Sequence, residues 1–251
     1  MIKIILLIFF VLGCFFLLKD SHKDHMTFNQ CGKIPTFENP HCVSIGIQMM
    51  KDVFQIFERH RVILWITYGT LLGHVRHGGF IPWDNDIDCL SLKENSDIIN
   101  GSIKKELEGL GYIVQPKYSD SGKELQYFEI HYNKDSDLHM DIGLCTKLNI
   151  KGEEYLVDGP VENHQKILDD PDGQKGWLHK IKNTFPLQNT KLYDIDIHIP
   201  ANPVAIVKDI YGDSCMVLAK IKKFSHIGGF DENLEETNIT KFYPAQKLKM
   251  V

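Results

Sequence analysis

Hydrophobic and polar positions recur along the chain with two distinct periods. From Ser44 to His60, the residues Ile45, Met49, Val53, Phe54 and Phe57 return at three-to-four-residue intervals, the spacing of a helix with one buried face. The run Val62-Ile63-Leu64-Trp65-Ile66-Thr67 is short and almost wholly apolar, which predicts a buried strand. A short helix is expected to open at Gly69-Thr70. Ile87 to Leu92 reads as a strand, and Asp97 to Leu110 as a helix turning Ile99, Ile103, Leu107 and Leu110 inward. Tyr112-Ile113-Val114, Leu125 to Tyr132 and His139 to Leu148 follow as strands. Asn202-Pro203 pairs a capping residue with proline at the first helical position, and Gly212 is the expected stop of that helix. Mixed helices and strands with no internal repeat predict an α/β (α+β) fold, a mixed sheet with flanking helices.

The N-terminal segment departs from this amphipathic pattern. Ile4 to Leu18 is apolar, bounded by Lys3 on one side and Lys19-Asp20 on the other. A spanning helix needs ~20 apolar residues and a signal-peptide core roughly 7–15, so the length lies between the two. No small-residue cleavage site is visible, and the apolar run beyond Cys14 disfavours a lipoprotein signal. An uncleaved membrane anchor over residues 1–20 is expected. A polar stem with Gly32, Pro35 and Pro40 would follow over 21–40, and one catalytic domain over 41–251. The balanced flanking lysines do not orient the anchor.

With 43% hydrophobic and 24% charged residues, the 251-residue chain has the composition of an ordinary globular protein with one sizeable core. Its net charge of −5 is spread along the chain, without the basic face that a nucleic-acid binder presents, so no nucleic acid is expected as a partner. The six cysteines form no C-x-x-C pair, which leaves no zinc or redox motif. Cys31 and Cys42 either close a disulfide in an oxidising lumen or remain free buried thiols. Two N-x-[ST] sequons, at Asn100 and Asn238, permit a lumenal location but weigh little.

The chemistry concentrates in YGTLLGHVRHGGFIPWDNDID. On a strand, side chains two apart share a face, so Asp84, Asp86 and Asp88 point one way and Ile87 and Cys89 the other. Parallel carboxylates repel one another unless a cation lies between them. Asp141, flanked by Met140 and Ile142 on another expected strand, would complete an oxygen cage for Mg²⁺ or Mn²⁺. Upstream, Gly69 and Thr70 stand where a strand meets a helix, a place for close backbone approach and for amides that attract phosphate. Arg76 and His77 offer a bidentate cation and a proton donor. Asp194-Ile195-Asp196 repeats the alternation without a glycine turn or cationic pair before it, and is read as the polar face of a half-covered strand. The polar segment from Lys151 to Lys182, which holds Trp177, is read as a surface excursion, with an acceptor-side insertion as the alternative.

Taken in order, YGTLLGHVRHGGFIPWDNDID, HMDIGL, FPL at Phe185-Pro186-Leu187 and IPANPVAIVKDIYGDSC resemble the LicD family, which includes fukutin and fukutin-related protein. The resemblance covers about Ser44 to Cys215. It implies a nucleotidyltransferase-like fold and transfer of a phospho-alcohol, such as phosphocholine or an alditol phosphate, from a CDP-linked donor to a glycan or glycoprotein acceptor. Asp86, Asp88 and Asp141 fall on the family's metal-binding and catalytic carboxylates. Asp84 falls on the preceding acidic position, and Gly69, Thr70, Arg76 and His77 on the donor-side loop. Asn85 stands where many members carry Asp, and His74 where Ala is common. Lumenal members carry one N-terminal helix, which implies a single-pass type II protein of the Golgi or endoplasmic reticulum. A catalytically inactive, glycan-binding or accessory relative is the alternative.

Overall fold

The computed structural model describes Cys31 and residues 35–159, 164–170, 177–220, 224–225, 229–230 and 236–238. The expected anchor at 1–20, and the expected stem apart from Cys31 and residues 35–40, lie outside the described residues. Among the described residues, no helix is long and apolar enough to cross a membrane.

Helix α1 (Pro40–Arg59) begins where Asn39 accepts a hydrogen bond from the His41 amide at 3.0 Å and Pro40 fixes the first helical φ. Cys42, Ile45, Met49, Val53 and Phe57 form its buried stripe, as the spacing requires. Cys42 also closes a disulfide with Cys31, which decides between the two readings of those thiols. Strand β1 is only Trp65–Ile66, shorter than the apolar run that announced it. Val62 and Leu64 are buried but Ile63 is 45% exposed, and only Trp65 and Ile66 find ladder partners, opposite Leu90 and Cys89. Apolarity there reports burial rather than pairing. Helix α2 (Tyr68–His77) follows and ends at Gly78, whose φ of 69° is one that glycine adopts without strain.

After β2 (Asp86–Leu92), one regular helix was expected over Asp97 to Leu110. The chain instead forms a 3-10 turn (Lys93–Asn95), α3 (Ser96–Ile98), a π turn (Ile99–Ile103) and α4 (Lys104–Gly109). Ile99, Ile103 and Leu107 are four apart, a spacing that drifts by about 40° per step around a 3.6-residue helix. The wider π turn takes up that drift, and all three are buried while Leu110 is 39% exposed.

Strands β3 (Ile113–Tyr118), β4 (Leu125–His131), β5 (His139–Ile150) and β6 (Glu153–Asp158) come next, then α5 (His164–Asp169), β7 (Leu178–Lys180) and α6 (Ile181–Thr184). The hairpin β8 (Gln188–Leu192) and β9 (Ile195–Ile199) and helix α7 (Pro203–Tyr211) complete the body. Asn202 caps α7 by accepting from the Ala205 amide at 3.2 Å, and Gly212 ends it, as the sequence predicts. The main sheet has the order β1-β2-β5-β4-β3, with β6 on the far half of β5 and β7 on β6. All its pairs are antiparallel except β2 with β5. This is a mixed sheet with flanking helices, the class expected.

Two readings need correction. Tyr193 and Asp194 have φ of 50° and 64° and form the turn of the β8–β9 hairpin, so Asp194 is not on a strand, and only the exposed Asp196 is. The twin of the Asp-x-Asp motif is thus half turn. Of the Lys151–Lys182 segment, β6 and β7 are sheet strands rather than a surface excursion.

Ile87, Cys89, Phe128, Ile130, Met140, Ile142 and Val114 share the sheet face that joins α1, Ile99, Ile103, Leu107, Ile206 and Val207 in the principal core. Phe128 is completely buried there. Phe128→Ala should destabilise the domain by about 3–5 kcal/mol through lost burial and the cavity left behind, read as a lower midpoint in urea unfolding.

Candidate active site

The opposite face of the same strands is polar at one end. Pairing is in register: Asp86 faces His139 and Asp88 faces Asp141 across the parallel ladder, while His131 faces His139 and Glu129 faces Asp141 from β4. Two rows of three side chains result, Asp86–His139–His131 and Asp88–Asp141–Glu129. The three aspartates singled out from the sequence therefore come together. His139 and Glu129 were missed, although the period-two alternation of HMDIG already placed His139 on the face of Asp141.

The turn into α2 holds this array. Gly69 donates its amide to Asp88 Oδ2 at 2.9 Å, and the Asp88 amide donates to Thr70 Oγ1 at 2.8 Å. A Cβ at Gly69 would lie 2.5 Å from Asp84 Oδ2 and 3.2 Å from Asp88 Oδ2, so both carboxylates crowd the glycine backbone. The Gly69 amide, expected as a phosphate donor, is thus committed to Asp88. Tyr68, one residue earlier, takes a left-handed φ of 40° and donates its hydroxyl to Asp158 Oδ2 at 2.8 Å. Only a strongly held side chain keeps a tyrosine in that conformation.

Electrostatics follow from the crowding. Burial first, then repulsion from Asp86, Asp84 and Asp141, pushes Asp88 well above the carboxylate range, against the pull of the Gly69 amide. Asp141 is pushed up to about 7, by burial and by the charges of Asp86 and Glu129, against His139 and Lys117. Lys117 and His131 hold Glu129, at 2.6 Å and 3.0 Å. Asp141 Oδ1 is buried and has no hydrogen-bond partner among the described residues. One ligand atom each from Asp86, His139 and Asp141 can be chosen so that all lie within 4.8 Å of one another. An orphaned carboxylate oxygen inside such a group fits a divalent cation, which would satisfy that oxygen and relieve the repulsion.

Arg76 and His77 sit to one side. Arg76 donates from Nε to His77 Nε2 at 3.0 Å and from Nη1 to the Cys215 carbonyl at 2.8 Å, and its guanidinium lies 5.8 Å from the Trp83 ring centroid. Burial, with the Arg76 charge beside it, lowers His77 to about 4. Its Nε2 accepts from Arg76, so that nitrogen is engaged within the protein. Glycine at position 79 is explained by Tyr193, whose hydroxyl a Cβ there would meet and which accepts the Phe80 amide at 2.7 Å. Asp88 and Asp141 open onto a cavity of about 700 Å³ whose wall also includes Tyr68, Tyr127, Asp158, Lys166, Trp177 and Tyr211.

Fold and site together define a mixed α/β domain centred on carboxylates. The chain belongs to the LicD/FKTN/FKRP family, whose nucleotidyltransferase-domain model matches residues 61–202. An uncharacterised protein of Rickettsia prowazekii is 28% identical over 62% of this chain and 50% of its own length. The ribitol 5-phosphate transferase FKRP of Homo sapiens is 30% identical over 41% of this chain and 21% of that protein. The lipopolysaccharide cholinephosphotransferase LicD of Haemophilus influenzae is 55% identical over a shorter stretch, 12% of each chain. The match thus spans half or less of the length of these curated relatives. Among solved structures, the lincosamide adenylyltransferase LnuA aligns with 63% of this chain and 91% of its own at 14% identity and a TM-score of 0.36.

The raised Asp141 has a consequence for stability. Its folded value of about 7 exceeds the unfolded value near 3.9, so Asp141's contribution to the metal-free protein's stability falls as pH rises from about 4 to about 7. Asp141→Asn should remove that share of the decline and stabilise the metal-free protein at pH 8 by roughly 1–2 kcal/mol after solvent screening. Thermal unfolding in chelator across this range checks it, and equal melting curves for both proteins at pH 8 would contradict the assignment.

Proposed function

We propose that this protein transfers a phospho-alcohol group, such as phosphocholine or an alditol phosphate, from a CDP-linked donor to a hydroxyl of a glycan or glycoprotein. The observation that carries the reading is the in-register opposition of Asp88 to Asp141, with Asp86 one step along the same strand face, at the wall of a cavity of ligand size. Family membership supports it, with relatives named as a ribitol 5-phosphate transferase and a cholinephosphotransferase.

In this reading Asp86, Asp88 and Asp141 hold Mg²⁺ or Mn²⁺, and His139 stands beside them. An ion held there would supply charge neutralisation to phosphate oxygens and to the leaving group. The acceptor oxygen forms a bond to the phosphorus of the phospho-alcohol, the bond from that phosphorus to the CMP oxygen breaks, and CMP leaves. Asp88 or Asp141, both raised and both facing the cavity, takes the acceptor proton. The Gly69 amide and Thr70 hydroxyl keep Asp88 in position, and Asp84 adds negative charge beside them. Arg76, with His77 and Trp83 around it, supplies positive charge on the side of Asp84. Tyr68, Tyr127, Trp177 and Tyr211 give the cavity aromatic walls suited to a sugar or a nucleobase. The Cys31–Cys42 disulfide supports an oxidising compartment, in keeping with an anchored type II protein of the endoplasmic reticulum or Golgi lumen.

Incubating the full chain with a panel of CDP-linked alcohols, glycan acceptors and Mg²⁺ or Mn²⁺ should release CMP and add the phospho-alcohol mass to one acceptor. Asp86→Asn should lower that rate by at least about 100-fold with unchanged unfolding behaviour. Metal-dependent donor binding without turnover of any donor would instead indicate an accessory protein. Full activity in chelator would sink the metal-dependent reading.

A further inference from the structure

We propose that His139 ligates the site's cation directly through Nε2, and that this nitrogen biases the site from Mg²⁺ toward a transition ion such as Mn²⁺. The inference rests on the metal-dependent reading above and adds a ligand that the aspartate motif does not contain.

His139 occupies β5 two residues before Asp141 and lies in register with Asp86, so it stands between the strand of the Asp-x-Asp motif and His131 of β4. Its Nδ1 lies 2.5 Å from the Asp137 carbonyl oxygen, an acceptor only, so the proton on that ring nitrogen is spoken for. In the neutral ring, Nε2 then carries a lone pair. Nε2 is 3.7 Å from Asp141 Oδ1, beyond hydrogen-bond range, and that oxygen is the buried atom without a partner. The Asp86 carboxylate adds a third ligand group, one atom of each of the three lying within 4.8 Å of the others. A cation placed among them turns all three contacts attractive.

The surroundings of the ring match those of metal-bound histidines, whose second nitrogen donates to a carbonyl or carboxylate and so fixes tautomer and orientation. His131 stacks on the ring at 5.3 Å between centroids and 27° between planes, and is itself held by Glu129 at 3.0 Å. The imidazole is therefore braced from behind and from its Nδ1 edge, with Nε2 directed at the carboxylates. Mg²⁺ takes oxygen ligands and gives up water reluctantly, whereas imidazole nitrogen suits first-row transition ions. A mixed nitrogen and oxygen set discriminates between them in a way that a set of aspartates alone does not.

The test loads the full chain with Mn²⁺ and records electron spin echo envelope modulation, which reports nitrogen bound to the ion. Calorimetric titration with Mn²⁺ and Mg²⁺ accompanies it for the wild type, His139→Gln and Asp86→Asn. The expected result is a ¹⁴N coupling in the wild type that vanishes in His139→Gln, with the Mn²⁺ over Mg²⁺ preference narrowing by about 10-fold or more. Should His139→Gln fail to fold, the wild-type spectrum decides alone. Mn²⁺ binding that Asp86→Asn weakens but that shows no ¹⁴N coupling would overturn the His139 assignment and leave the metal-dependent function standing, with His139 an ion-pair partner of Asp141 only. No binding of either ion to the wild type would overturn both.

Discussion

The parallel pairing of β2 with β5 is the constraint on which the site depends. It sets Asp86 and Asp88 against His139 and Asp141 in one register. A slip by one residue would turn Ile87 and Cys89 toward the cavity and the aspartates into the core, so burial of the apolar face enforces the placement of the polar one. The repulsion thereby built in is offset at one point by protein groups, the Gly69 amide on Asp88 and the Thr70 hydroxyl on its backbone. At Asp141 the charges of His139 and Lys117 oppose it, while among the described residues Oδ1 has no hydrogen-bond partner. The domain carries a local excess of negative charge whose relief depends on what binds there.

The same face changes character along its length. Beyond Asp88, Leu90 joins Trp65, Cys145 and Leu156 in a second, smaller apolar cluster, with Tyr68, Phe185 and Leu187 packed against it. Gly143 sits at the boundary, where a Cβ would fall 2.7 Å from Leu90 Cδ2 and 2.9 Å from Asp158 Oδ1. Polar and apolar halves of the face are thus in contact across one residue without a side chain. Tyr68 bridges them, with its ring against the apolar cluster and its hydroxyl on Asp158. The strained φ of that tyrosine is carried where the two halves meet.

Much of this was legible in the sequence because it follows from period. The stripe of α1, the cap and stop of α7, and the alternation of Asp86 and Asp88 with Ile87 and Cys89 are local properties, and the structure keeps them. The grouping of Asp141 with the motif was legible only on the condition that the two strands are neighbours, since nothing local tells β5 to pair with β2. Glu129 was hidden for the same reason, since its place beside Asp141 depends on the β4–β5 register. The hydrogen bond from Arg76 to the Cys215 carbonyl was hidden because the two are remote in the chain. Asp194 was misread because a left-handed turn built from Tyr and Asp carries no glycine signal. The π turn showed only as a four-residue spacing that an ordinary helix was assumed to absorb.

The position of β5 in the chain also has a temporal meaning. Asp88 and Asp141 become neighbours only through a contact between residues far apart in sequence, with the helical stretch and the β3–β4 hairpin lying between them. Non-local parallel pairing is slow, because loop-closure entropy is lost before the contacts that offset it can form. During synthesis, the acidic strand must therefore emerge and wait, solvated and uncrowded, until β5 is available. Charge crowding at Asp88 and Asp141 therefore arises only when the central sheet closes, so the electrostatic character of the site and completion of the fold are one event.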